Sequence, residues 1–276
     1  MPEGDLMTNA AFGASGPGST LGQPAQATRS PGTSAGKHAV VTGASSGIGL
    51  AVVRRLLTEG WRVTGISRRP PPSTVRHSAE TGGSANPRWS WLRVDLTDLD
   101  ALGQTLTTVS GGVNAIVHSA GLQRTARLGA LDPADAAAMW QVNVAAASHL
   151  VNALSGQLVP GGRVVLIGSR TREGAAGKSH YAATKAALVG LSRSWAMELL
   201  PRGITVNVVA PGPTDSPMLN DPARSGTPPK VPPLGRLIRP EEVAGLVTFL
   251  LGPDAGAITG QHLVICGGAS LSWLPD

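Results

Sequence analysis

Apolar and polar positions divide the chain at Lys37. Beyond that residue, short runs that are apolar almost throughout predict β-strands at residues 38–41, 62–66, 89–94, 115–117, 163–167, 204–209 and 262–265. Segments with helical periodicity lie between them, at residues 48–57, 132–154, 179–200 and 240–251. Strands without a polar face that alternate with helices are typical of a parallel sheet covered on both sides. The sequence therefore predicts an α/β fold, a single doubly wound sheet of about seven strands.

The segment before this pattern, residues 1–36, consists mainly of Gly, Ala, Ser, Thr and Pro. Such a composition cannot bury enough apolar surface to offset the entropy lost on ordering. We therefore expect a disordered tail over residues 1–36, followed by one domain over residues 37–276. A targeting peptide is the alternative, but one arginine and two acidic residues do not favour it.

Two stretches do not fit the alternation of strands and helices. Residues 68–88 are rich in proline and show no helical pattern, so the crossover helix expected there should be short or missing. Residues 211–240 are rich in Pro, Gly and Ser, and loops of that length are usually lids or disordered segments.

Composition narrows the class of protein. Cys266 is the one cysteine among 276 residues, which excludes an intramolecular disulfide and favours a reducing compartment such as the cytoplasm. No apolar stretch reaches the roughly 18 residues that a membrane span requires. The net charge of +6 comes from scattered arginines, so a solvated basic surface is favoured over a nucleic-acid site. The sequence indicates no metal site.

A glycine-rich turn, Val41-Thr-Gly-Ala-Ser-Ser-Gly-Ile-Gly49, joins the first strand to the first helix. Gly43 permits the tight turn, while Gly47 and Gly49 allow phosphates and the helix to approach the backbone. The free amides and the dipole of the helix N-terminus favour a pyrophosphate. Between a strand and a helix this motif predicts a Rossmann-type dinucleotide site, with a purely structural turn as the alternative.

The end of the second strand bears on the choice of cofactor. An acidic residue there would bind the ribose hydroxyls of NAD, whereas this chain has Ser67, Arg68 and Arg69. Arginine suits a 2′-phosphate, so NADP(H) is favoured over NAD(H), with solvated surface arginines as the alternative. Asp95, followed by Leu96 at the end of the third strand, could accept the adenine amino group or act as a helix N-cap.

Tyr181, the one tyrosine in the chain, stands four residues before Lys185. In a helix the two side chains share a face. A cation beside a phenol favours the ionised phenolate, so the pair is a candidate general acid and base. Taken alone, a packing role for the tyrosine is the alternative.

Together these residues resemble the short-chain dehydrogenase/reductase family over about residues 37–272. The resemblance rests on separated motifs in the same order and at the same spacing, namely residues 42–49, 118–121, 211–214 and 259–260 with Asn143, Ser169, Tyr181, Lys185 and Asn207. Related epimerases and dehydratases space their glycines differently, which counts against that branch. The resemblance implies a single-domain oxidoreductase that is often a homotetramer.

The resemblance also implies roles for four catalytic residues. Tyr181 would protonate the carbonyl oxygen during reduction, and Lys185 would assist it and bind the nicotinamide ribose. Ser169 would polarise the substrate carbonyl, although a turn-capping role is its alternative. Asn143 would hold a water in a proton relay, although an ordinary helix-surface amide is its alternative.

The residues expected to bind the cofactor combine the motif arguments with the resemblance. They are Gly43, Ser45, Ser46, Gly47, Ile48, Gly49, Ser67, Arg68, Arg69, Asp95, Leu96, Ser119, Ala120, Gly121, Tyr181, Lys185, Pro211, Gly212 and Thr214. Two positions depart from the family pattern. His118 and Ser119 stand where two asparagines are common, and Cys266 replaces an aspartate; we expect structural roles for His118 and Cys266.

The sequence does not identify the substrate. The pocket should lie outside the carboxyl ends of the strands, with candidate walls at Gln123, Trp140, Arg170, Arg172, Met218 and Leu219. Residues 235–244 resemble those of 3-oxoacyl-carrier-protein reductases and cyclic-alcohol dehydrogenases, so a small carbonyl or alcohol, free or carrier-bound, is expected. The favoured function is an NADP(H)-dependent ketoreductase. A non-catalytic NADP(H)-sensing protein and an epimerase or dehydratase using Tyr181 and Lys185 remain alternatives.

Overall fold

A computed structural model describes residues 36–73, 75, 88–221 and 230–271 of the chain. The strands are β1 (His38–Thr42), β2 (Arg62–Ser67), β3 (Trp89–Arg93), β4 (Val113–His118), β5 (Leu158–Ile167), β6 (Thr205–Pro211) and β7 (His262–Ile265). The α-helices are α1 (Gly47–Thr58), α2 (Leu99–Leu106), α3 (Pro133–Trp140), α4 (Ala146–Leu154), α5 (Ser179–Leu199) and α6 (Pro240–Leu251).

All seven strands form one parallel sheet in the order β3-β2-β1-β4-β5-β6-β7. This confirms the predicted doubly wound α/β architecture. The chain leaves β1 toward β3 on one side and continues from β4 toward β7 on the other. The strand order therefore reverses between β1 and β4, and the ends of those two strands leave a crevice at the carboxyl edge of the sheet.

Successive residues of the strands pack into different cores because their side chains point to opposite faces. Val41 and Val165 belong to the core beneath α1 and α6, which includes Val52 and Leu250. Their neighbours Val40 and Val164 belong to the core on the other face, which is covered by α2, α4 and α5. This two-sided burial explains why the strands read as continuous apolar runs.

The helix predicted at residues 132–154 begins as expected but is not uniform. Asp132 is the N-cap, and its carboxylate accepts a hydrogen bond from the Ala134 amide at 2.8 Å. Between α3 and α4 the helix widens into a π-helical segment, Gln141–Ala145, with Asn143 at its centre. Such segments are frequent at functional sites, and hydrophobic periodicity does not reveal them.

The sequence analysis missed helix α2. Its apolar residues Leu99, Leu102 and Leu106 follow helical spacing, and the Asp98 side chain caps it by accepting from the Ala101 amide at 2.9 Å. Asp95 is therefore not the N-cap that one interpretation assigned to it. Its carboxylate instead accepts from the Thr97 backbone amide at 3.0 Å and closes a turn.

The predicted tail, residues 1–36, lies outside the described residues apart from Gly36, as does most of the stretch at 68–88. Part of the loop at 211–240 is described, and its two ends meet where the Asp215 amide donates to Ile238 O at 2.9 Å. No helix among the described residues is long and apolar enough to cross a bilayer.

Candidate active site

A cavity of about 1560 Å³ opens at the carboxyl ends of the strands, over the switch in strand order between β1 and β4. It extends from the turn after β1, past the segments after β2 and β3, to the segments after β5 and β6. A cavity of this size and position can hold an extended dinucleotide together with a small substrate.

The glycine-rich turn forms one wall of the cavity and provides a cradle without side chains. Gly47 has a φ of 53°, a conformation that favours glycine, and begins helix α1. A Cβ on Gly49 would overlap the backbone carbonyl of Gly43, so the helix can approach the strand only because residue 49 has no side chain. No acidic residue occupies the first turn of α1. These features fit a bound pyrophosphate.

Thr42 connects the glycine-rich turn to the end of β4. Its Oγ1 accepts hydrogen bonds from the amides of Ser119 at 3.1 Å and Ala120 at 3.2 Å. The same oxygen lies 3.1 Å from Nδ1 of His118. Burial, reinforced by the charge of Lys185, lowers the pKa of His118 to about 3, so its imidazole is neutral. The neutral histidine thus joins the end of β4 to Thr42 at the end of β1.

Ser169 follows β5, and its side chain is 8% exposed where it lines the cavity. Its Oγ accepts a hydrogen bond from the Thr171 amide at 3.1 Å and so caps the 3-10 turn Arg170–Glu173. The hydroxyl therefore has the capping contact that was its alternative interpretation. Because that bond uses the oxygen as an acceptor, the hydroxyl proton remains able to donate into the cavity.

Tyr181 and Lys185 lie on the cavity side of α5 and are 6% and 3% exposed. The Lys185 Nζ lies 5.7 Å from the centre of the Tyr181 ring and donates to the carbonyl of Ile167 at 2.9 Å. Burial lowers the pKa of Lys185 to about 8. The helix thus places a phenol beside an amine that can exchange protons near neutral pH.

Asn143 is fully buried behind the cavity wall, which excludes the helix-surface interpretation. Its Oδ1 accepts from the Leu122 amide at 2.8 Å, while its Nδ2 donates to Leu122 O at 2.9 Å and to Thr184 Oγ1 at 3.0 Å. Thr184 in turn donates to the carbonyl of Tyr181 at 2.8 Å. The amide therefore ties the segment after β4 to the helix that carries the tyrosine.

At Gly121, in the cavity wall, the hydrogen-bond network of Asn143 lies close to Lys185. A Cβ added to Gly121 would lie 3.4 Å from Asn143 Oδ1 and 3.6 Å from Lys185 Nζ. Both polar atoms therefore face the space that glycine leaves open.

The sequence analysis gave no role to Thr42 or Thr184, although each directly adjoins a residue that it did select. Thr42 precedes Gly43, and Thr184 precedes Lys185.

The opposite end of the cavity is lined by Ser67, Arg68, Arg69 and Asp95. Ser67 is fixed, because its hydroxyl donates to Arg69 O at 2.7 Å and accepts from the Trp91 indole at 2.9 Å. The Arg68 side chain is 69% exposed and lies 3.7 Å from the Asp95 carboxylate. Burial opposes ionisation of Asp95, but the Thr97 hydrogen bonds and Arg68 outweigh it and lower its pKa. This end therefore presents two exposed guanidinium groups.

All residues predicted to bind the cofactor line the cavity, and so do four of the candidate substrate residues, Gln123, Arg170, Met218 and Leu219. Trp140 and Arg172 do not line it. Trp140 is exposed at the end of α3, where Ala138 and Val142 form the wall instead. Arg172 turns away and lies 3.2 Å from Glu173. The cavity lining therefore includes four of the six candidate substrate residues.

Cys266 also lies outside the cavity lining. It is buried against the backbone of Gly212, and its Sγ lies 3.1 Å from Ser270 Oγ. Among the residues that the structure describes, no cluster of three or more His, Cys, Asp or Glu side chains could hold a metal ion.

The chain is similar to known proteins over most of its length. A family model described as enoyl-(acyl carrier protein) reductase matches residues 43–270. The chain is 36% identical over 236 residues to the cyclic-di-GMP-binding biofilm dispersal mediator protein of Escherichia coli. The match covers 84% of this chain and 96% of the relative. It is 35% identical over 244 residues to a 3-oxoacyl-acyl-carrier-protein reductase of Vibrio harveyi, with coverages of 84% and 97%.

Among solved structures, the chain resembles a short-chain dehydrogenase from Burkholderia cenocepacia in complex with NADP. The TM-score is 0.75 at 34% identity, and the match covers 86% of this chain and 99% of that chain. The similarity therefore extends over the sheet, its helices and the segments that line the cavity.

Proposed function

The chain belongs to the short-chain dehydrogenase/reductase family, and from that premise we propose that it is an NADP(H)-dependent oxidoreductase that interconverts a ketone and a secondary alcohol. We propose the reductive direction as the working one. The observation that carries this function is that Ser169, Tyr181 and Lys185 line the same cavity as the glycine-rich turn. A dinucleotide site and a proton-donating group therefore face one space.

The proposed chemistry divides the work between cofactor and protein. A bound NADPH supplies the hydride. As negative charge develops on the carbonyl oxygen, the Ser169 hydroxyl donates a hydrogen bond to it and Tyr181 transfers a proton to it. Lys185, whose pKa burial lowers to about 8, stabilises the resulting phenolate and helps to reprotonate it. Asn143 holds the segment after β4 against α5 and so keeps these groups in place.

The preference for NADP(H) over NAD(H) is supported by Arg68 and Arg69, which line the end of the cavity next to Asp95. Guanidinium groups bind phosphate through charge-assisted hydrogen bonds. An acidic residue in place of Arg68 would instead suit an unphosphorylated ribose. The similar Burkholderia protein was solved with NADP, which agrees with this preference.

The test is reduction of a panel of ketones, followed by the loss of the reduced nicotinamide absorbance, in the wild type and in Tyr181→Phe. We expect the variant to lose about 10²- to 10⁴-fold in kcat, the usual contribution of a general acid. NADPH binding, measured by fluorescence titration, should change little. Full activity in Tyr181→Phe would exclude the proposed mechanism.

One observation supports a second candidate function. The relative that is 36% identical to this chain is named as a cyclic-di-GMP-binding protein, so a nucleotide-binding role without turnover is the alternative. It predicts saturable binding of NADPH or cyclic-di-GMP by calorimetry and no consumption of NADPH with any ketone. Turnover of a ketone that depends on Tyr181 would decide for the enzyme.

We also propose a homo-oligomer, a tetramer by resemblance, located in the cytoplasm. Exposed apolar side chains on the last helix and the edge strand, Phe249 and Val264, offer surface for self-association. Light scattering on the purified chain should give a mass of four subunits.

The single cysteine is compatible with a reducing compartment. A carrier-bound substrate is compatible with the open cavity.

A further inference from the structure

The cavity carries more positive than negative charge on the side of Ser169 and Tyr181. Four cationic residues line this part outside the catalytic pair, Arg124, Arg170, Lys178 and Lys230, against one acidic residue among the described lining residues, Asp221. Arg124 is already engaged, since its guanidinium lies 3.4 Å from the Asp221 carboxylate and 3.7 Å from Asp135. The balance of charge on this side of the cavity is therefore positive.

Arg170 differs from the other arginines near the site. It directly follows Ser169 and is half-buried, and no described residue forms a hydrogen bond or ion pair with its guanidinium. Its Nε is buried without a partner, as is that of Arg172. Arg172, two residues later in the same turn, is paired with Glu173 and does not line the cavity. A buried guanidinium nitrogen without an acceptor costs free energy unless a ligand supplies the acceptor.

Gln123 adds a neutral polar group to the same wall. The residue is buried and lines the cavity, and its side-chain amide forms no hydrogen bond with any described residue. Its backbone is fixed, because Gln123 O accepts from Arg124 at 3.2 Å. An amide NH₂ in this state can donate to an oxygen of a bound molecule.

We propose that the substrate is a carbonyl compound that also carries an anionic group, a carboxylate or a phosphate, and that Arg170 and Gln123 bind that group. The proposal rests on the proposed function, because it places the reacting carbonyl at Ser169 and Tyr181. Arg170 can bind either anion through two parallel N–H···O bonds. Since it adjoins Ser169 in the chain, binding the anion there would orient the carbonyl toward the serine and the tyrosine.

The test compares carbonyl compounds that differ only in charge. The probes are acetoacetate and 4-oxopentanoate with their neutral amides, and dihydroxyacetone phosphate with dihydroxyacetone. We expect the wild type to prefer at least one anionic member by roughly 10- to 100-fold in kcat/KM, the range of one charged hydrogen-bonded contact. The two anionic classes distinguish a carboxylate from a phosphate subsite.

Arg170→Met should remove that preference, because it should raise KM for the anionic member more than KM for the neutral member. Arg172→Met is the matched control, because it removes an arginine from the same turn that is already paired and faces away from the cavity. Gln123→Leu should have the same direction of effect as Arg170→Met, and a smaller size. Equal use of anionic and neutral members by the wild type would overturn the proposal.

A binding measurement separates this proposal from the proposed function. Saturation-transfer NMR on the full chain with NADP⁺ should show the anionic probe bound more tightly than its neutral partner, and Arg170→Met should abolish the difference. Reduction of neutral ketones without this difference keeps the oxidoreductase and rejects the anion subsite. Anion binding through Arg170 without any turnover keeps the subsite and rejects the oxidoreductase.

Discussion

The two ends of the cavity differ in how firmly the protein holds the groups that would act there. At the proposed catalytic end, Asn143 and Lys185 are buried and hydrogen-bonded to the backbone of neighbouring segments. At the opposite end, Arg68 and Arg69 are exposed, and the ion pair of Arg68 with Asp95 has a separation of 3.7 Å. Under the proposed function, the groups that must be positioned before the reaction are built into the core, whereas the groups that would select the cofactor can become ordered when it binds.

The largest effect should follow from Lys185→Met. The variant removes the amine beside Tyr181, so we expect kcat to fall by about 10³-fold, within the range of general acid–base catalysis. The assay is ketone reduction at saturating NADPH. A loss below tenfold would mean that the buried end of the cavity does not carry the chemistry.

The same variant should remove a pH dependence of stability. Burial lowers the pKa of Lys185 from the usual lysine value of 10.5 to about 8 in the folded chain. Between these values the unfolded state binds more protons, so the free energy of unfolding should rise as pH increases from 8 to 10.5. Below pH 8 the full burial penalty remains. Urea unfolding of the cofactor-free wild type and Lys185→Met should show this rise in the wild type alone.

Asn143→Ala tests whether the catalytic end depends on its amide network. It leaves both backbone groups of Leu122 without their partner, so we expect a loss of about 3 kcal/mol in the free energy of unfolding. Thr184→Val is the control, since it keeps both bonds to Leu122 and removes only the bond from the amide to Thr184 and the bond from Thr184 to the carbonyl of Tyr181; it should cost about 1 kcal/mol. Equal losses of unfolding free energy in the two variants would contradict the inference that Asn143 holds the segment after β4 against α5. Chemical denaturation gives both values.

Substitutions at the Arg68 and Arg69 end of the cavity should change the affinity for the cofactor rather than the stability of the fold. In the double variant Arg68→Ala with Arg69→Ala, the KM for NADPH should rise by about 10- to 100-fold, because charge-assisted contacts to the 2′-phosphate are lost. The KM for NADH and the unfolding transition should change little. Arg127→Ala, an exposed arginine outside the cavity lining, is the control. An equal rise for both cofactors would show that these arginines do not read the phosphate.

The sequence predicted the sheet because its strands are buried on both faces, and it predicted the glycine turn, Ser169, Tyr181 and Lys185 because each belongs to a spaced motif. It predicted only in part which side chains reach the cavity from outside the motifs, since Gln123 and Arg170 line it whereas Trp140 and Arg172 do not. Trp140 is large and apolar, yet it is half exposed and does not line the cavity, whereas Val142 of the π-helical segment does. Arg170 and Arg172 stand in the same short turn with opposite outcomes, which only the backbone path after β5 determines.

The smallest effect tests an element that lies away from both ends of the cavity. Helix α2 depends at its start on Asp98, whose side chain accepts from the Ala101 amide at 2.9 Å. Asp98→Ala should lower the free energy of unfolding by about 1 kcal/mol, the usual contribution of an N-cap. Activity and the KM for NADPH should stay unchanged, because Asp98 does not line the cavity. If this variant altered the KM for NADPH, residues other than Asp95 would couple the carboxyl end of β3 to the cofactor. The adaptable end of the cavity would then extend to the start of helix α2.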